Sequence, residues 1–313
     1  MVNTFITHKP TPTTGFSQTA LNLDLLRLRK QIVEASQILR ILEDVPLIAL
    51  HFGWKCPEPV PETETGSSFL NRIEQFKSIV NRYLKGKTRI KINIDGTMST
   101  IESFNKEDHF VATDDNCDFV QIDMHTVRVF SRNSSRDYPL SKVVYFGERI
   151  ITLGFARHPI VHMWIGYEDS LRRYICDLQI ELRTRPKKDG TMSESKIRVL
   201  DPGYNNVRYP WWTLSANSYC WISHRASLYV KEMSRNESPW YRERADFNCK
   251  NTKIWCAKTS VIDNKKREKG LGYVWFGKLT FEQIDSLLRG DILPPETIAC
   301  PQTDSINRPS KKK

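Results

Sequence analysis

Glu34 stands in surroundings suited to chemistry. On a helix over residues 21–42, the face that carries Glu34 also carries Arg27, Lys30, Gln31 and Gln37. One carboxylate then sits within two turns of several basic and amide groups. The plain reading of this face is a solvated surface with a Lys30–Glu34 pair at i,i+4, worth a few tenths of a kcal/mol. A second group is His158 and His162, four residues apart and so on one helical face, the spacing of a two-histidine metal site. No third ligand is evident, and no metal or other cofactor is expected. His158, next to a helix start, suits a phosphate or a loop carbonyl. His224 and Arg225 suit a phosphate or a base edge, or a partner such as Glu168 or Asp169 within the fold. Trp164, Tyr167, Trp211, Trp212, Trp240, Tyr241 and Trp275 offer rings for stacking on bases, although tryptophan at helical spacing usually packs in a core.

These residues must be held by regular elements. Leu21, Leu25, Leu28, Ile32, Ala35, Leu39 and Leu42 recur at steps of three or four and predict a helix over residues 21–42, with Asn22 or Asp24 as N-cap. Residues 7–20 read as an extended lead-in, and the Pro- and Glu-rich stretch 56–66 reads as a linker. A helix is predicted over 68–84. Short alternating runs follow, at 89–94, 109–112, 119–122, 127–130 and 143–146, with turn signals at Asp95-Gly96 and Asn133-Ser134. Pro159 suits the first position of a helix that the stripe Ile160, Trp164, Tyr167, Leu171, Ile175, Leu178 and Leu182 extends to about Arg183. Thr280 and Gln283 form a capping-box pattern opening a short helix that ends at Gly290.

Several motifs in one order carry a resemblance. Thr4-Phe5-Ile6 followed by Arg27-Leu28-Arg29-Lys30-Gln31-Ile32-Val33-Glu34, then His158-Pro159, Met163-Trp164 and Gly166-Tyr167-Glu168, come first. Pro210-Trp211, Ser223-His224-Arg225, Trp240-Tyr241 and Tyr273-Val274-Trp275 complete the series. Together they resemble the pyrimidine-dimer DNA glycosylase superfamily of the phage endonuclease V type, and most of all its bacterial cousins. The resemblance covers about residues 4–50 and 154–276. It implies a helical core, a catalytic glutamate at Glu34 on the first long helix, and an amine nucleophile at the N-terminus. Loss of Met1 would put that amine on Val2, two residues before the Thr4 position of the motif. Arg27 stands where the phage enzymes have a histidine, and a basic loop with Lys265, Lys266, Arg267 and Lys269 is longer than theirs.

The fold expected is therefore α+β, a helical glycosylase-like core with an inserted small antiparallel β module. Residues 1–57 and 152–290 would form the core, 58–151 an inserted α+β module and 291–313 a tail. The function expected is that of a DNA-binding protein resembling a glycosylase and abasic-site lyase, using Val2 and Glu34. Arg27, Lys30, Gln31, His158, His162, Tyr167, His224 and Arg225 would contact DNA. The alternatives are a non-catalytic nucleic-acid packaging protein or an interaction module on the same scaffold.

Composition agrees with a globular, anion-seeking chain. Over 313 residues, 39% hydrophobic and 11% aromatic content supply material for a real core, and the net charge of +11 favours an anionic partner. Double-stranded DNA is the leading candidate, with a protein partner possible through the inserted module and no membrane expected. No apolar run approaches the roughly 18 residues of a membrane span. The first residues lack a signal-peptide pattern, which predicts an intracellular protein, in cytoplasm or nucleus. Seven cysteines without a close repeat suit reduced thiols there. Cys249 and Cys256, the nearest pair, match no common zinc spacing.

Overall fold

A computed structural model describes residues 4–93, 95–101, 110–111, 118–121, 126–131, 134–139, 143–144, 148–187, 189–204, 207–214, 219–235, 240–241, 243–247, 249–259, 261–262, 268–269 and 273–300. In chain order these carry α1 (Ser17–Asn22), α2 (Leu25–His51) and α3 (Gly66–Lys85), then β1 (Arg89–Ile92) and β2 (Met98–Ile101). β3 (Phe110–Val111), β4 (Asp118–Gln121), β5 (Thr126–Ser131), β6 (Ser134–Pro139), β7 (Val143–Val144) and β8 (Arg149–Ile150) follow. Then come α4 (Pro159–Met163), α5 (Glu168–Arg183), α6 (Trp211–Leu214), α7 (Tyr219–Arg235) and α8 (Lys250–Thr259). β9 (Val261–Ile262), β10 (Glu268–Lys269), β11 (Tyr273–Val274), α9 (Phe281–Arg289), α10 (Pro295–Ile298) and β12 (Ala299–Cys300) close the chain. The fold is mixed α+β, as the sequence predicts. No helix among the described residues is long and apolar enough to cross a membrane.

The chain divides into two compact units, and not where the linker composition suggests. The first contains residues 1–42, 58–74 and 157–313; the second contains 43–57 and 75–156. Residues 58–74 belong with the helical body because Glu64 and Arg72 form a buried pair there at 2.8 Å, and Arg72 Nε donates to the Ile165 carbonyl at 3.1 Å. Arg208 adds bonds to the carbonyls of Val60, Pro61 and Glu62. A Pro- and Glu-rich stretch is thus tied down by its own carbonyls. The second unit contains β1 paired with β2 and β8, β5 between β4 and β6, and a parallel β3–β7 pair. Tyr83 buttresses it, its hydroxyl donating to the Ile151 carbonyl and accepting from Ile90 N–H. The expected alternating runs correspond to these strands. Asp95-Gly96 makes the turn between β1 and β2, with Gly96 at φ 81°. Asn133 and the basic loop residues Lys265, Lys266 and Arg267 lie outside the described residues.

Three further expectations change. The first long helix does not run from residue 21: the chain is extended at Leu23, Leu21 is exposed, and α2 starts afresh at Leu25. Asp24 supplies the cap, its Oδ1 accepting from Arg27 N–H at 2.9 Å. At the other end α2 continues past Val45-Pro46 to His51, since Val45, Ile48 and Ala49 are all buried and Pro46 is exposed. The helix expected over 159–183 is two helices. Gly166 at φ 83° turns the chain between them, and α5 starts after Tyr167. The capping box of Thr280 and Gln283 and the left-handed Gly290 are as predicted. Residues 291–300 are no free tail, because Ile298 is buried, β12 pairs with β11, and the Leu293 carbonyl accepts from Tyr219.

The core of the helical unit is aromatic. Trp164 meets Trp212 edge to face at 5.2 Å and Trp212 stacks on Phe276 at 5.7 Å. Phe16 packs its edge on Tyr174 at 5.3 Å, and the Phe16 N–H donates to the buried Asp177. Asp177 is paired in turn with Arg173 at 2.7 Å, so the lead-in before α1 is fastened to α5.

Candidate functional site around Glu34

The segment Thr4–Thr7 is buried and is held by side chains from several elements. Trp164 Nε1, just past α4, donates to the Thr4 hydroxyl at 3.0 Å. Gln31 Oε1 on α2 accepts from Phe5 N–H at 2.7 Å. The Tyr174 hydroxyl on α5 shares its one proton between the Phe5 carbonyl at 2.9 Å and Gln31 Oε1 at 3.1 Å. From α7, His224 Nδ1 accepts from Ile6 N–H at 3.0 Å, and Arg225 Nε donates to the Thr7 carbonyl at 2.6 Å. A buried segment outside regular structure cannot leave its backbone groups unpaired, and here side chains from α2, α5 and α7 supply the partners.

Glu34 is joined to this strand through Gln31. The Gln31 amide, wholly buried, accepts from Phe5 with its oxygen and donates through Nε2 to Glu34 Oε2 at 2.9 Å. Glu34 is 7% exposed, and its other oxygen lies 3.7 Å from the ammonium of exposed Lys30. The plain reading of a solvated helix face therefore fails for Arg27, Gln31 and Glu34, all buried, and holds for Lys30 and Gln37. Burial pushes the Tyr174 hydroxyl well above its ordinary pKa, and the charge of Glu34 adds to that rise. The carboxylate thus acts on the side chains that grip the strand.

The other sequence-predicted residues have definite partners. Arg27 binds Asp24 at 2.7 Å and lies over the Tyr241 ring, whose hydroxyl donates to the same carboxylate. Burial raises the Asp24 pKa, but the bonds from Tyr241 and Arg27 outweigh it and hold the group below its usual value. His158 caps α4, its Nδ1 accepting from Ile160 N–H at 3.2 Å, and its ring meets Trp275 edge-on at 5.5 Å. Burial first, and the Lys278 charge after it, lower its pKa. His162 is buried beside Gly277. Among the described residues no group of three or more His, Cys, Asp or Glu is placed to hold a metal ion. The Tyr167 hydroxyl donates to Glu64 at 2.9 Å, away from the Glu34 network. Glu168, considered above for His224, instead accepts from Gly166 N–H, and Asp169 pairs with Arg172. Val2 lies outside the described residues.

No family model, curated protein or solved structure matches this chain. The sequence reading missed Tyr174 and Trp164 as holders of the N-terminal strand. Trp164 lies in an apolar stripe, where a tryptophan reads as packing, and Tyr174 stands beside that stripe; the polar tip of each reveals itself only once a segment remote in sequence crosses it. It also missed a separate cavity of about 1060 Å³ lined by residues 9–12, the 62–65 stretch, α6 and α9.

Proposed function

We propose that the Glu34 site serves an imine-forming glycosylase and abasic-site lyase activity on duplex DNA. The observation that carries this reading is the single amide of Gln31, which links the backbone of Phe5 to the Glu34 carboxylate. Such chemistry needs a primary amine and a carboxylate close together. The reading requires a free amine on Val2, and two residues of chain span at most roughly 7 Å. Thr4, held by Trp164, leads into Phe5, whose N–H is joined to Glu34 through Gln31. In the reaction the amine attacks C1′ of the abasic sugar and water leaves, giving an imine. The carboxylate then takes a proton from C2′ as the 3′ phosphate departs. His224 and Arg225 act here as positioning residues for the strand, and exposed Lys30 offers a cation to the anionic backbone. The net charge of +11 supports the same partner.

The test is borohydride trapping on a duplex containing an abasic site. The unaltered protein should give a covalent adduct that resists denaturation. Glu34→Gln keeps a hydrogen-bonding group beside Gln31 and should form at least tenfold less cleaved product while still binding duplex DNA. Chemical blocking of the N-terminal amine should abolish the adduct. An unaltered protein that gives no adduct, or a Glu34→Gln variant that cleaves at the original rate, overturns the proposal.

A further inference from the structure

The cavity beside residues 9–12 lies wholly within the helical unit, and its lining includes none of the Glu34 network. At about 1060 Å³ it lies just above the roughly 300–1,000 Å³ of small-molecule sites. Its wall is aromatic, formed by Tyr167, Tyr209 and Trp211. Trp211 is held edge-on between Phe69 at 5.7 Å and Phe276 at 5.3 Å, so its ring plane is fixed before any ligand arrives. Two of these wall residues carry an unmet demand. The Tyr209 hydroxyl and the Trp211 Nε1–H are buried and have no hydrogen-bond partner among the described residues. An indole N–H can only donate, and leaving it dry costs about 1–3 kcal/mol.

The charges around the wall are of both signs, and several are already committed. Glu64 is spent on Arg72, Ser68 and Tyr167. One oxygen of Asp285 accepts from Gly66 N–H at 2.6 Å. Arg208 binds the carbonyls of Val60, Pro61 and Glu62, and no carboxylate partner pairs with it among the described residues. Lys9, exposed at the cavity, has no acidic partner among the described residues. Aromatic faces, carboxylate oxygens and two cations match the three parts of one molecule class. We infer that this cavity binds a free ribonucleotide, with the base against Trp211 and Tyr209, the ribose hydroxyls toward Asp285 and Glu62, and the phosphate toward Lys9 and Arg208. Carboxylates are natural acceptors for ribose hydroxyls, and paired cations for phosphate. A stacked base contributes through any π face. The assignment stands apart from the Glu34 reading and does not need it.

Isothermal titration of the full chain with the four ribonucleoside monophosphates, adenosine, inorganic phosphate and a short single-stranded oligonucleotide tests it. At least one monophosphate should bind with a Kd below about 1 mM, with adenosine at least roughly fivefold weaker and phosphate alone weaker still. Lys9→Glu alters an exposed side chain outside the core and should weaken the monophosphate roughly tenfold while changing adenosine little. Trp211→Leu should weaken both. Glu34→Gln should bind the monophosphate as the original does, which keeps this result separate from the trapping experiment. No binding of any monophosphate at about 5 mM, unchanged affinity in Lys9→Glu, or binding of the oligonucleotide alone overturns the assignment.

Discussion

Gln31 has no charge and performs no chemistry, yet three groups depend on its one amide. Its oxygen receives Phe5 N–H and lies beside the Tyr174 hydroxyl, and its nitrogen serves Glu34. Replacing it with leucine fills the volume but leaves a buried backbone N–H and a buried carboxylate short of a partner. Gln31→Leu should destabilise the protein by about 1–3 kcal/mol, read from the midpoint of urea unfolding at unchanged m. Hydrogen exchange at Phe5 and Ile6 should rise more than the global loss requires if the strand is released locally. An unchanged midpoint would mean that water replaces the amide. At this scale the sequence shows which side chains share a helical face but not which way that face looks. Glu34 and Gln31 lie on the same polar face as Lys30, and only the crossing strand distinguishes the buried pair from the exposed lysine. That strand is remote in sequence from most of the residues that hold it, so no local pattern announces it.

The helices were largely legible and their breaks were not. The stripe from Leu28 to Leu42 and the capping box at Thr280 have sequence periods and end signals that their observed helices obey. The break between α4 and α5 was hidden because Trp164 and Tyr167 continue the apolar spacing across it. Gly166 decides it. At φ 83° an L side chain is strained, and a Cβ there would meet Val60 Cγ2 at 2.5 Å and Arg72 Nε at 3.2 Å. Gly166→Ala should therefore cost more than about 1 kcal/mol, measured as a lower thermal midpoint, and should disturb the Arg72–Glu64 pair against which Tyr167 rests. A midpoint within error of the original would show that the turn relaxes freely. The start of α2 teaches a related lesson. Asp24 as cap was one of two options in the sequence, and Tyr241, contributed from far down the chain, selects it by sharing its carboxylate.

At the scale of the whole molecule the division into units follows hydrogen bonding and not composition. Residues 58–66 have the Pro-rich content of a linker, and the bonds from Arg72 and Arg208 make them part of the helical body. The end of the chain is similar. Residues 295–300 place Ile298 in the core and pair β12 with β11. Ending the chain after Pro294 should lower the thermal midpoint by at least about 2 °C, since a buried isoleucine alone contributes about 1.5–3 kcal/mol. Calorimetry showing an unaltered transition would return those residues to the status of a tail. The buried strand at the front has its own temporal consequence. Ile6 and His224 are 218 positions apart, so the pair forms only after most of the polypeptide exists. At about 5–20 residues per second of translation, the first residues wait roughly 10–45 s beyond the ribosome before their binding groove is made. During that interval Phe5 and Ile6 are hydrophobic side chains without shelter, accessible to any chaperone that meets nascent chains.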